Sequence, residues 1–146
     1  MARFPDVDPA RSRQMSLVRG QDTKPEMVVR RLVHALRFRY RLYHAQLPGK
    51  PDLVFPKRRK VIFVHGCFWH QHDDPECWRS RLPKSRLEFW IPKLRANTER
   101  DARDIATLQA DGWDVMVIWE CETRPRRIGK LRRRVAEFLT TSSRVS

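Results

Sequence analysis

The sequence predicts an α/β fold, a mixed central sheet flanked by helices, in the order helix, two or three strands, helix, strand, helix. Three observations lead there. Apolar runs of strand length, rich in β-branched residues, occupy 52–55, 61–64 and 114–119. Longer stretches repeat apolar residues at helical spacing. A length of 146 residues leaves no room for a second independent core.

Taken in order, residues 1–21 are polar and basic, with Arg11, Arg13 and Arg19, and form an N-terminal arm that either grips a polyanion or stays disordered without one. The catalytic core spans 22–140, within a single domain 1–146, and 141–146 is a flexible tail. Thr23-Lys24-Pro25-Glu26 is a capping box with proline in the first turn; Val29, Leu32, Val33 and Leu36 then repeat at helical spacing to about Arg37. Phe38 to Tyr43 alternates rings or aliphatic groups with arginine, the pattern of a half-exposed strand.

Leu47-Pro48-Gly49-Lys50-Pro51 is a turn, and the basic segment Pro56 to Lys60 joins the next two buried strands. Cys67 to Lys84 is irregular and too long to stay ordered without a staple. From Ser85 to about Ala110 a stripe of Leu87, Ile91, Leu94, Thr98, Asp101, Ile105 and Leu108 marks a long helix, with Pro92 either a kink or its true start. Asp114 to Trp119 is a strand, and Ile128 to Leu139 a basic last helix.

The 31 Lys and Arg against 17 Asp and Glu leave a net charge of +14, which favours polyanions through counterion release and points first to nucleic acid. No apolar run is long enough to cross a bilayer and no signal core opens the chain, so a cytoplasmic, nucleoid-associated location is expected. Three cysteines in a reducing compartment are metal ligands or free thiols rather than a disulfide framework.

The irregular segment holds Cys67, His72 and Cys77 at even spacing, and Cys121 follows the last strand. Thiolates and an imidazole so spaced suit a tetrahedral structural zinc ion; Asp73, Asp74 or Glu76 offers a substitute ligand. A cysteine alone is ordinarily a small buried hydrophobe, and the reading rests on the four together.

Pro51-Asp52 places a carboxylate at the mouth of a strand, a ligand for a hard cation such as Mg²⁺. In Phe63-Val64-His65-Gly66-Cys67-Phe68-Trp69-His70, two imidazoles next to such a ligand are fitted to activate water and protonate a leaving oxygen. Glu26 and Asp101 fall on apolar helical stripes, where a carboxylate needs a partner. Glu26 either serves the site or only closes its capping box, and Asp101 either serves the site or pairs with an arginine. His34 and His44 read as surface residues. Phe68, Trp69 and Trp90, in basic surroundings, are rings able to wedge between base steps; Trp113 and Trp119 read as core.

These residues carry a resemblance. Pro48 to Asp52, Phe63 to His70, Glu88-Phe89-Trp90, Asn97, Arg100-Asp101 and Trp119-Glu120-Cys121, in order from about Arg11 to Cys121, resemble the very-short-patch repair (Vsr) endonucleases. The resemblance implies a restriction-endonuclease-like fold of the PD-(D/E)xK superfamily and incision of one strand 5′ of the thymine in a T·G mismatch, by a monomer acting with possible mismatch-repair partners. It implies Mg²⁺ on Asp52 and the Val64 carbonyl, with His70 as general base oriented by Asp101. Glu26 and His65 would hold metal-bound waters or assist the leaving group. Phe68, Trp69 and Trp90 would intercalate, and Cys67, His72, Cys77 and Cys121 would hold structural Zn²⁺. The common acid and lysine of the second strand are replaced here by Phe63-Val64-His65, so the resemblance is to the histidine-using branch and argues against a lysine-dependent mechanism. A restriction-type enzyme of the same fold and a non-catalytic zinc module that binds DNA are the alternatives.

Overall fold

A computed structural model describes residues 23–42 and 46–141; the expected N-terminal arm, Tyr43, His44 and nearly all of the tail lie outside the described residues. Helix α1 (Lys24–Ala35) leads into β1 (Arg41–Leu42) and β2 (Leu53–Phe55). A 3-10 turn (Pro56–Arg58) connects to β3 (Lys60–His65). The long α2 (Leu87–Ala110), β4 (Asp114–Trp119) and α3 (Ile128–Thr140) complete the described order. The sheet order is β1-β2-β3-β4, antiparallel through β3 and parallel between β3 and β4, so it is mixed.

Alternation along β2 and β3 divides the core in two. One face packs Leu53, Phe55, Ile62, Met116 and Ile118 against Val29, Leu32 and Val33 of α1 and Leu131, Val135 and Leu139 of α3. The other packs Val54, Val61 and Phe63 against Leu108 and Trp113. Each fully buried aliphatic side chain contributes on the order of 1.5–3 kcal/mol, which explains why these short strands persist.

Thr23 caps α1 by accepting the Glu26 amide at 3.4 Å. The helix stops at Leu36 because Arg37 turns left-handed (φ 68°). Phe38 and Tyr40 then pack on the core while Arg39 and Arg41 face solvent, as the alternation predicts, yet among the described residues of this segment only Arg41 and Leu42 make ladder pairs, with Val54 and Leu53. Gly49 (φ +75°) permits the turn before β2, where a Cβ would lie 3.1 Å from Phe63 and from Asp104.

Helix α2 begins at Leu87, two residues later than expected, after a left-handed Arg86 (φ 60°), and runs through Pro92 without ending. Its buried stripe starts one step out of phase with the expectation. Leu87 and Ile91 are exposed, whereas Trp90, Leu94 and Leu108 are buried. At the start of the parallel pair, Lys60 and Asp114 are register partners, and their side chains form a salt bridge of 2.9 Å with the lysine buried. Breaking such a pair would strand a buried charge, so it pins the register. The opposite ends of β3 and β4, His65 and Trp119, open onto the site.

Candidate active site and metal centre

The chemistry-bearing residues gather at the C-terminal ends of β3 and β4 in three adjoining groups. The first surrounds Asp52. Its amide donates to the Ile62 carbonyl (3.1 Å), and its Oδ2 accepts the Val64 amide at 2.6 Å, so the carboxylate is clamped to the edge of β3. Glu26, 3% exposed, reaches over from α1. Its Oε2 accepts Arg30 Nη2 at 3.3 Å, and its carboxyl group also hydrogen-bonds with Asp52. Glu26 therefore does more than cap the helix.

Burial above all pushes the Asp52 carboxyl from its ordinary 3.8 up to about 7. The Val64 amide works against that rise, Glu26 adds to it as a like charge and hydrogen-bond partner, and Arg30 offsets part of it. Two carboxylates with this little solvent are a donor set that suits a hard cation.

The second group is a stack of imidazoles. His65 and His70 lie with ring centroids 3.9 Å apart and planes 7° from parallel. His70 Nδ1 is in short contact with Asp101 Oδ2 on α2, so Asp101 is the histidine's partner and not an arginine's. This leaves Nε2 as the free acceptor of a half-exposed ring. Burial, and then His70, lowers His65 from 6.5 to about 4, so His65 is neutral at physiological pH. Asn97 Nδ2 donates to the Trp69 carbonyl at 3.1 Å and ties the His70 turn to α2. Asp52 lies outside the His65, His70 and Asp101 cluster; the two groups join through β3, where Val64 precedes His65.

The third group is Cys67, His72, Cys77 and Cys121, whose ligand atoms lie within 4.8 Å of one another. A tetrahedral ion with bonds of about 2.3 Å to sulfur and 2.05 Å to nitrogen requires S···N edges of roughly 3.6 Å. His72 Nδ1 is 3.7 Å from Cys67 Sγ and 3.5 Å from Cys121 Sγ. The donor set therefore fits such an ion. Burial raises the Cys67 and Cys121 thiols, and the Arg127 guanidinium donates to Cys121 Sγ at 3.5 Å, a neighbour suited to a thiolate.

The rings expected at the DNA surface are placed unequally. Trp69 is half-buried, Phe68 is 8% exposed and Trp90 only 1%, beneath the other two. Centroids of 5.4 Å (Phe68–Trp90) and 6.2 Å (Trp69–Trp90) make one edge-on cluster. Trp90 is thus a floor under Phe68 and Trp69, and no exposed wedge. The sequence reading passed over Arg30; its signal was the spacing of four from Glu26 on one helix. It also read Trp119 only as core, whereas that ring stacks on His72 at 4.2 Å and meets His65 edge-on at 5.3 Å.

Comparisons with known proteins agree with one another. The family model described as "DNA mismatch endonuclease Vsr" matches residues 6–76. The chain is 48% identical over 137 residues to the type II nicking enzyme V.XorIIP of Xanthomonas oryzae pv. oryzae, covering 93% of this chain and 97% of that one. It is 43% identical over 116 residues to the DNA mismatch endonuclease Vsr of Escherichia coli K12, covering 80% and 72%. Among solved structures, the catalytic domain of the homing endonuclease I-Bth0305I superposes with a TM-score of 0.54 at 19% identity, covering 80% of this chain and 94% of that one.

Proposed function

The chain belongs to the Vsr family of DNA mismatch endonucleases, and from that premise we propose that it nicks one strand of duplex DNA 5′ of the thymine in a T·G mismatch. The reaction is metal-dependent phosphodiester hydrolysis by a monomer of restriction-endonuclease-like fold acting in the cytoplasm. The observation that carries this reading is the Asp101–His70–His65 stack standing next to a carboxylate clamped on the same strand.

Asp101 fixes the tautomer of His70, so that Nε2 is the acceptor that removes the proton from an attacking water. The stack on neutral His65 holds the His70 plane without a second positive charge 3.9 Å away. His65, nearly buried, orients a proton acceptor or donor and is no standing acid at neutral pH. Asp52, with Glu26 beside it, supplies hard oxygen donors. The N–H and C=O of one strand residue point to the same side, so Val64, whose amide faces Asp52, presents its carbonyl on that edge too. Asp52, Glu26 and the Val64 carbonyl would hold a divalent cation, Mg²⁺ in our reading, which would supply charge neutralisation at the scissile phosphate. The Cys67, His72, Cys77 and Cys121 set holds structural Zn²⁺.

Trp69, with Phe68 behind it, is the ring placed to enter the base stack, a few kcal/mol of unstacking being least costly at a mismatched pair. The test uses the zinc-loaded protein with Mg²⁺ and end-labelled duplexes, matched and T·G-containing, with breaks mapped on both strands. A single nick 5′ of the mismatched thymine is expected. Double-strand cleavage of matched DNA, or binding without cleavage, would overturn the proposal.

A further inference from the structure

Among the described residues, Arg30 is the cation built into the carboxylate group around Asp52, and the mechanism above does not use it. It sits one turn after Glu26 on α1, its side chain 11% exposed against 4% for Glu26, with Nη2 on Glu26 Oε2 at 3.3 Å and Nη1 against Met27 Sδ at 3.2 Å. Its charge is also felt at Asp52. An exposed pair spaced by four is a minor helix stabiliser. This pair is withdrawn from solvent and aimed at a carboxylate pair that a cation would occupy, so its charge acts at much closer to full strength.

We propose that Arg30 is a positioning residue and resident counter-ion of the cation site: it holds Glu26 beside Asp52 and keeps cation affinity low in the free enzyme. Even with both carboxylates ionised, Asp52, Glu26 and Arg30 together carry only one negative charge, too little to hold a strongly hydrated dication tightly. The phosphate of bound DNA supplies the missing charge and oxygen ligands, so loading becomes coupled to substrate. A nuclease arranged in this way stays cation-poor until DNA is seated. This inference rests on the proposed cation site at Asp52.

The experiment is a Mn²⁺ titration of the full-length, zinc-loaded protein, followed by electron paramagnetic resonance of the free ion, with and without a T·G duplex in which a phosphorothioate blocks cleavage. Wild type is expected to bind Mn²⁺ weakly alone and much more tightly with the duplex. Arg30→Gln, neutral and of similar length, is expected to tighten binding in the absence of DNA at least about tenfold, the effect that one charge has on a nearby dication even at water-like screening. Arg30→Lys should stay near wild type. Unfolding midpoints measured alongside separate this from a structural role, which would lower stability without tightening the ion. Unchanged or weaker Mn²⁺ binding by folded Arg30→Gln overturns the inference about Arg30. Failure of wild type to bind Mn²⁺ even with the duplex overturns the cation site itself.

Discussion

Replacing Asp52 with asparagine should cost the reaction and strengthen the fold. Asparagine keeps an oxygen to accept the Val64 amide and changes little in volume, so the substitution removes chiefly a charge. In the cation-free protein that charge is held in a place that disfavours it. The carboxyl is raised from 3.8 to about 7. A group with a raised folded pKa contributes stability that is whole below its unfolded pKa, here near 4, and disappears as pH rises through the folded value. About three pKa units correspond to roughly 4 kcal/mol, and partial solvent access reduces this to about 2–4 kcal/mol. Asp52→Asn should therefore match wild type in stability near pH 4 and exceed it by that margin at pH 8. Urea unfolding of zinc-loaded proteins without other divalent ions, across that pH range, measures the difference. Mg²⁺ in large excess, enough to load a weak site without DNA, should stabilise wild type at pH 8 and leave the variant unmoved, while the variant nicks nothing. If Asp52→Asn is no more stable at pH 8, or its margin is as large at pH 4, the carboxylate is not frustrated and the argument from burial fails.

Removing the base should be costlier than removing its orienter. His70→Ala is expected to lower the nicking rate 10²- to 10⁴-fold with duplex binding retained, and Asp101→Asn to lower it about 10- to 100-fold, both read from single-turnover kinetics. The two rings of the aromatic cluster should separate cleanly. Trp69→Ala should weaken nicking at the mismatch while leaving the unfolding midpoint almost unchanged, because the ring is only half-buried. Trp90→Ala, at a ring 1% exposed, should cost about 3–5 kcal/mol of stability in denaturant unfolding.

The readable parts of the fold are those where one period dominates. The α1 stripe of Val29, Leu32 and Val33 and the run Asp114–Trp119 were placed within a residue or two, because each buries a face whose spacing is its own signature. The start of α2 was not readable, since a left-handed Arg86 has no composition cue and the true stripe is anchored by Trp90, whose depth depends on Phe68 and Phe89 from outside the repeat. The site was legible by residue type and less so by grouping. Sequence reasoning brings Asp52, His65 and His70 to one site; the fold sets Asp52 beside Glu26 and Arg30 and His65 and His70 beside Asp101, and joins the two groups through Val64 and His65 of β3. Which neighbour a side chain meets across a sheet edge is a tertiary fact that periodicity does not carry.

The zinc-type cluster and the imidazole stack are one mechanical unit, and a last prediction depends on that. Strand β3 carries Val64, which clamps Asp52, and ends at His65, from which Gly66 leads to Cys67. Strand β4 ends in Trp119, whose ring packs on His72 of one group and on His65 of the other, and Cys121 follows two residues later. The Cys67 amide donates to Glu120 Oε1 at 3.3 Å, and the His70 amide to the Gly66 carbonyl at 3.1 Å. A metal holding Cys67 and Cys121 therefore fixes both strand ends between which the imidazoles lie. Protein purified without chelator should carry stoichiometric zinc by elemental analysis. Stripping it with a strong chelator, or Cys121→Ser, should abolish nicking that added Mg²⁺ does not restore. The two-dimensional NMR cross-peaks of the His65 and His70 rings should broaden or move on stripping. If they stay in place while nicking survives, the staple and the active site are independent and the shared-strand argument is wrong.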